Sequence, residues 1–142
     1  MTYNYKSKKI IAVILDNLET WQSMNVVGHM SVALGANKDS ELMGRNILTD
    51  ASGVSHLGIA RFGFIIKKSN AKDIASLINN VRKEKDIVVV DFPREMLDTR
   101  HDDELMASIG QKQESDIEYL GVLLYGPTVQ VDSLTKDFKL WS

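Results

Sequence analysis

Apolar and polar positions divide the chain into runs of two kinds. Residues 9–16 (KIIAVILD) are apolar without a break from Ile10 to Leu15, a length that suits a strand. Apolar residues at every position, rather than at alternate ones, fit a strand covered on both faces, as in a parallel sheet. Residues 62–69 (FGFIIKKS) and 86–92 (DIVVVDF) have the same character, and residues 119–127 (YLGVLLYGP) make a fourth strand closed by Gly-Pro. Between these runs the period lengthens. Residues 21–34 predict a helix with Thr20 as its N-cap and Gly35 as its stop. In residues 70–85, Ile74, Leu77, Ile78 and Val81 follow the i, i+3, i+4, i+7 spacing of one buried helical face, and Asn70 is placed to cap it. An acidic amphipathic helix is predicted from His101 to Glu114, and a short one over VQVDSLTKDF after the last strand.

Strands alternating with helices predict an α/β fold, a central sheet covered on both sides. Helices linking consecutive strands favour parallel pairing and right-handed crossovers. The expectation is therefore a three-layer α/β/α sandwich around a mixed, mostly parallel four-stranded sheet, as one domain over residues 1–142 with residues 1–8 a flexible extension. Residues 37–61 stand apart. They form a long connection punctuated by Gly and Ser, without clear periodicity, and loops of that length are often functional. Ligands of open α/β sheets gather beyond the carboxyl ends of the strands, where Asp16 and Asp91 stand.

Composition narrows the function classes. A chain of 142 residues with 44% hydrophobic and 25% charged residues is ordinary for one soluble domain. Its apolar runs are too short to span a membrane, and the N-terminus lacks a signal-peptide pattern, so a cytoplasmic protein is expected. The absence of cysteine excludes disulfides, thiol catalysis and thiolate metal sites. A net charge of −2 supplies no global field for nucleic acid. Locally, residues 67–85 are basic (Lys67, Lys68, Lys72, Arg82, Lys83, Lys85) and residues 102–118 acidic, which reads as solvated helix faces rather than an RNA-binding patch.

Candidate chemistry centres on the first helix. Asn25 and His29 are i and i+4 neighbours, so an amide could hold the imidazole in one tautomer and leave its other nitrogen for proton transfer near neutral pH. Gly28 beside them would let a strand or ligand approach closely. The same residues could equally satisfy buried backbone groups. Asp16 and Asp91 could act as base or acceptor, or cap the turns that follow them. The stretch DASGVSH, with Asp50 and His56, suits a lid, an anion-binding turn or an Asx turn, and lacks the fingerprint of a phosphate loop. His29, His56 and His101 have no metal-ligand spacing, so no metal and no cofactor are expected. No Gly-x-Ser-x-Gly occurs. TRHDDE at residues 99–104 fits an N-capping box with acids in the first helical turn.

In this order the motifs VILDNL, NVVGHMSVAL, DFPREM and LLYGPTVQVDSLTKDFKLW resemble the uncharacterised family catalogued as domain of unknown function 2000, DUF2000. The resemblance covers roughly residues 9–141, and the pattern Asp50-x-x-Gly53-x-x-His56 fits that family too. The same landmarks are more distantly similar to the archaeal and eukaryotic type of peptidyl-tRNA hydrolase, a small α/β/α sandwich around a mixed sheet. That resemblance implies catalytic roles for His29, within the first helix, and Asp91, after the third strand. The hydrolases' lysines at the start of that helix have no counterpart, because Thr20 and Gln22 stand nearest, and Glu95 replaces a threonine beside the aspartate. Missing cations remove the electrostatic stabilisation that usually contributes most to such catalysis. The resulting expectation is a module binding a small polar ligand in a cleft near the first helix, with Asp16, Asn25, Gly28, Asp50 and His56 as further ligand-binding candidates. The alternative is a hydrolase of an ester or amide. The relatives' fold also implies self-association as a homodimer.

Overall fold

The computed structural model describes residues 4–37, 39 and 41–142 of the chain. The elements run β1 (Lys8–Leu15), α1 (Thr20–Gly35), β2 (Ile47–Thr49), β3 (Ser55–Leu57), β4 (Gly63–Ser69), α2 (Ala71–Val81), β5 (Val88–Pro93), α3 (Glu95–Asp98), α4 (Asp102–Gly110), β6 (Tyr119–Pro127), α5 (Thr128–Thr135) and β7 (Lys139–Leu140). Of the expected N-terminal extension, residues 1–3 lie outside the described residues. Lys6 and Ser7 are tied down, since Thr128 donates its hydroxyl to the Lys6 carbonyl at 2.6 Å and its amide to the Ser7 carbonyl at 3.1 Å.

Five strands form the main sheet in the order β5-β6-β1-β4-β7, which corrects the expected four. The added strand, β7, has two residues and is fixed by pairing Lys67 with Leu140 and Lys68 with Lys139. Nor is the sheet mostly parallel: β1 pairs with β4 in parallel, while β6 lies antiparallel between β1 and β5. The reason is the connection after β5. Arg94 donates its amide to the Glu118 carbonyl at 2.9 Å, so the chain leaves β5 and enters β6 at the same end. Nothing crosses the sheet there, and the next strand has to run back.

The two faces are distinguished by strand alternation. On one face α1 buries Ser23, Val26, Met30 and Leu34, a single helical stripe, against Ile14 and Gly121. At Gly121 the sheet and helix come so close that a Cβ would lie 2.9 Å from Val26 Cγ1 and 3.1 Å from Ile14 Cδ1. On the other face α2 buries Ile74, Leu77, Ile78 and Val81, the stripe read from the sequence, and α5 buries Val131 and Thr135 beside it. Each such aliphatic side chain contributes roughly 1.5–3 kcal/mol on burial. Lys67 turns to this face, where its ammonium donates to the Thr135 carbonyl at 2.8 Å. β1, buried from Ile10 through Leu15, is the centre of the core.

Capping differs from expectation at α1. Glu19, not Thr20, is the N-cap, and its backbone amide donates to the Gln22 side chain at 3.0 Å in a capping box. The predicted helix over 101–114 ends sooner, as α4 followed by a 3-10 turn over Glu114–Asp116. The aperiodic segment 37–61 contains a hairpin, β2 paired antiparallel with β3, which forms a sheet of its own. Among the described residues no helix is long and apolar enough to cross a membrane.

Candidate functional site

The stripe that α1 buries decides where its polar residues go. With Val26 and Met30 turned inward, His29 falls on an exposed flank that faces the edge strand β5. Its ring tilts at 51° to that of Phe92, with centroids 6.2 Å apart. Opposite, the segment from α3 to the start of α4 rises as a second wall, and a cleft of about 440 Å³ opens between the two. Met30, Val90, Phe92 and Leu105 give it an apolar floor, while His29, Arg100, His101 and Asp102 supply polar groups at its walls. This is the size and make-up of a small-molecule site, apolar in its base with a few polar groups converging on it.

Short-range bonds hold the second wall in place. His101 is the N-cap of α4 but makes no side-chain capping bond, so the expected capping box is absent. Instead the Arg100 amide donates to Glu104 Oε2 at 3.1 Å, and the Thr99 hydroxyl donates to the Glu95 carbonyl at 2.7 Å. Glu95 itself is buried, and the Lys112 ammonium donates to its Oε1, tying α3 to the residues just past α4. That bond holds the Glu95 carboxyl below the usual range.

Asp91 lines the cleft from β5, yet its carboxylate turns to the opposite face from Phe92, as neighbours on a strand do. There Arg82, at the end of α2, stands 3.5 Å from it. The same guanidinium donates to the Tyr119 hydroxyl at 3.0 Å and to Glu114 Oε1 at 2.7 Å. A register shift between Phe92 and Pro93 lets Tyr119 share this face. Burial pushes the Asp91 carboxyl above the usual range, and the Arg82 charge opposes the push. Replacing Arg82 (Arg82→Gln) therefore raises it further. A carboxyl raised on folding contributes stability below its unfolded pKa and loses it as pH rises through the folded one. The variant is expected to lose about 1 kcal/mol at neutral pH, a modest figure because both groups are partly exposed, and less at acid pH, where the carboxylates are protonated and the bond to the neutral Tyr119 hydroxyl is what remains to be lost. Urea melts at the two pH values check this.

The remaining candidates are dispersed. Asn25 is exposed and shares no hydrogen bond with His29. Gly28 lies on the other flank of α1, in an apolar cavity of about 280 Å³ with Met24, Val27 and Trp141. A Cβ at Gly28 would meet nothing within 4 Å, so close approach does not explain this glycine. Asp16 stands at the carboxyl end of β1, lining a third cavity. Asp50 and His56 sit on the β2–β3 hairpin and line none of these three cavities. Asp50 makes an Asx turn: its Oδ1 accepts from the amides of Ser52 (2.9 Å) and Val54 (3.1 Å), while Oδ2 meets His56 Nε2 at 2.9 Å. Gly53, at φ +85°, takes the left-handed position of that turn. The described residues contain no group of three or more His, Asp or Glu able to hold a metal.

A family model described as "Protein of unknown function (DUF2000)" matches residues 8–142. The chain belongs to that family. Among solved structures, a protein of unknown function from Agrobacterium tumefaciens strain C58 has the same fold, with a TM-score of 0.84 at 20% sequence identity over 96% of this chain and 98% of that one. No curated protein matches. For this DUF2000 chain, sequence reasoning missed Arg100 and His101 as cleft residues. The available signal was the TRHDDE stretch, a basic pair placed between a strand end and a helix start, which capping alone seemed to explain.

Proposed function

We propose that this protein is a peptidyl-tRNA hydrolase II-like domain, a three-layer α/β/α sandwich that binds a small polar ligand in the cleft between α1 and the α3–α4 wall. The observation that carries the reading is the pairing of His29 with Arg100 and His101 across an apolar floor of about 440 Å³. Imidazole and guanidinium groups donate hydrogen bonds to carboxylate, carbonyl or phosphate oxygens, and the guanidinium can do so bidentately. The ligand is then a small molecule with an apolar body on Phe92 and Val90 and oxygen acceptors towards the walls. Binding is preferred to ester or amide hydrolysis because a hydrolytic role for His29 and Asp91 needs both side chains on one reacting atom, whereas the Asp91 carboxylate is engaged by Arg82.

A thermal-shift screen with nucleotides and small carboxylates or phosphates tests the reading. At least one compound is expected to stabilise the wild type, and to stabilise His29→Ala and Arg100→Ala clearly less. A screen without hits, or hits insensitive to both substitutions, would overturn it. Turnover of a peptidyl-tRNA mimic that His29→Ala abolishes would favour the hydrolase instead.

A further inference from the structure

Two bonds at the strand ends fix which way β5 turns its main-chain groups. Thr128 donates its amide to the Ser7 carbonyl at 3.1 Å, and Arg94 donates its amide to the Glu118 carbonyl at 2.9 Å. These groups alternate along a strand, so by the β1–β6 register Val122, Leu124 and Gly126 face β1, and Gly121, Leu123 and Tyr125 face β5. By the β5–β6 register Val88, Val90 and Phe92 then face β6. Val89 and Asp91 turn amide and carbonyl to the outer edge of the sheet. Pro93, the next outward residue, has no amide to leave unpaired there.

This edge is open. At the opposite edge β7 pairs with β4, but no backbone group among the described residues pairs with Val89 or Asp91 on the outer side. Beyond it stands the α3–α4 wall, whose α4 buries none of its residues and is not packed on β5. The cleft of about 440 Å³ lies between, and Val90, Asp91 and Phe92 line it in succession. Val90 and Phe92 enter with their side chains, whereas Asp91, whose carboxylate is turned to Arg82, enters with its backbone. Unpaired amides and carbonyls recurring every second residue, at about 6.6–6.8 Å, are a template for another strand. Among the described residues the Arg100 guanidinium at the wall has no hydrogen-bonded or ionic partner. The neighbouring Asp102 sits in the first turn of α4, where the helix dipole meets its charge.

We propose that the ligand is an extended peptide segment, added to β5 as a further strand of the sheet, which rests on the cleft being a ligand site as proposed above. The main chain of the segment bonds Val89 and Asp91. An apolar side chain lies on Val90 and Phe92, and an acidic side chain two residues away, on the same face, meets Arg100. A small carboxylate or phosphate would satisfy Arg100 but has no donors and acceptors at strand spacing. A second copy pairing through its own β5 would bring its α1 and its wall into the space that this wall already occupies.

The test is a ¹H–¹⁵N NMR titration of the full chain with acetyl-Glu-Thr-Val-Thr-Glu-amide, whose pattern of acids around an apolar centre reads alike in either strand direction. The amides of Val89 and Asp91 are expected to shift saturably together with those of His29 and Arg100. Their hydrogen exchange, fast in the free chain, should slow. Alternate amides of a strand face its neighbour, so N-methylating both threonines, or instead the valine and the second glutamate, separates the two sets. One version should bind more weakly by about tenfold or more, for two lost hydrogen bonds, and the other nearly as well as the parent. Only the peptide is altered, so folding of the protein does not enter. Lysine in place of both glutamates should also weaken binding about tenfold, the loss of one charge-assisted contact. Equal binding of the two methylated peptides, equal binding of the lysine peptide, or slow exchange at Val89 and Asp91 in the free chain would overturn the proposal. Shifts at His29 and Arg100 that leave Val89 and Asp91 unmoved would overturn the added strand and keep the cleft as a ligand site of another kind. No saturable shift at all would also overturn the strand, and the thermal-shift screen judges the cleft separately.

Discussion

Gly121→Val is expected to remove most of the protein's stability. The position lies on β6 opposite Phe92, beneath α1, where a Cβ would stand 2.9 Å from Val26 Cγ1, 3.1 Å from Ile14 Cδ1 and 3.3 Å from Met30 Cε. Met30 can swing its flexible end aside, but Val26 is β-branched and held by its helix, and Ile14 belongs to the central strand. Overpacking a core by a methyl group costs roughly 1–3 kcal/mol. Gly121→Ala should fall in that range, and Gly121→Val should exceed it, against a total of about 5–15 kcal/mol for a domain. Urea melts provide the numbers, and a double-mutant cycle gives the sharper check. Val26→Ala opens the space that the new methyl needs, so Val26→Ala combined with Gly121→Ala should cost clearly less than the two separate losses added together. Simple additivity would mean that the close approach of α1 to β6 is not what makes a glycine necessary.

Lys112→Met is the second large effect, and its signature is pH dependence. Glu95 is 5% exposed and its carboxylate takes a charge-assisted bond from Lys112. Removing the cation leaves a buried carboxylate without its counter-charge. Breaking a fully buried pair costs about 3–5 kcal/mol, and the half-exposed lysine brings the expectation down to about 2 kcal/mol at pH 7. The sign follows from the depressed carboxyl. In the wild type the pair contributes stability above the unfolded glutamate pKa and loses it as pH falls through the lower folded value. In the variant Glu95 takes up a proton more readily, so the gap between the two proteins should close towards acid pH. Adding Glu95→Gln to Lys112→Met should recover part of the loss at pH 7. A gap of equal size at pH 4 and pH 7 would show that Lys112 acts through packing and not charge. Because this pair ties α3 to the end of α4, the variant should also loosen the wall that carries Arg100 and His101.

The parts of the fold that were legible in the sequence are those whose burial imposes a period. β1 and β6 are nearly continuous apolar runs because both of their faces are covered, and α2 shows its stripe because a single face is. Strand direction was not legible. It depends on whether the chain crosses the sheet after β5, and an acidic helix such as α4, none of whose residues is buried, looks the same in either case. β7 was invisible because two residues, both exposed, carry no alternation.

The site was legible in part. Asn25, Gly28 and His29 looked like one polar notch because they are close in sequence, yet a helix turns about 100° per residue and spreads them over different flanks. Gly28 reaches the Trp141 side and His29 the Phe92 side. Arg100 and His101 join His29 only through the return of the chain after β5, a tertiary fact with no sequence periodicity behind it. Asp91 was well located on its strand, but alternation, invisible until the register is known, turns its carboxylate to Arg82.

The central claim is that the cleft between α1 and the α3–α4 wall holds a ligand. The chain contains three histidines, and they form a built-in test: His29 and His101 line the cleft, while His56 lies on the hairpin, bonded to Asp50. The direct measurement is a side-chain imidazole NMR titration with the strongest stabilising compound from the thermal-shift screen. His29 and His101 are expected to shift together, saturably and with one Kd, while His56 stays still. Saturable binding that leaves both His29 and His101 unmoved would contradict the account.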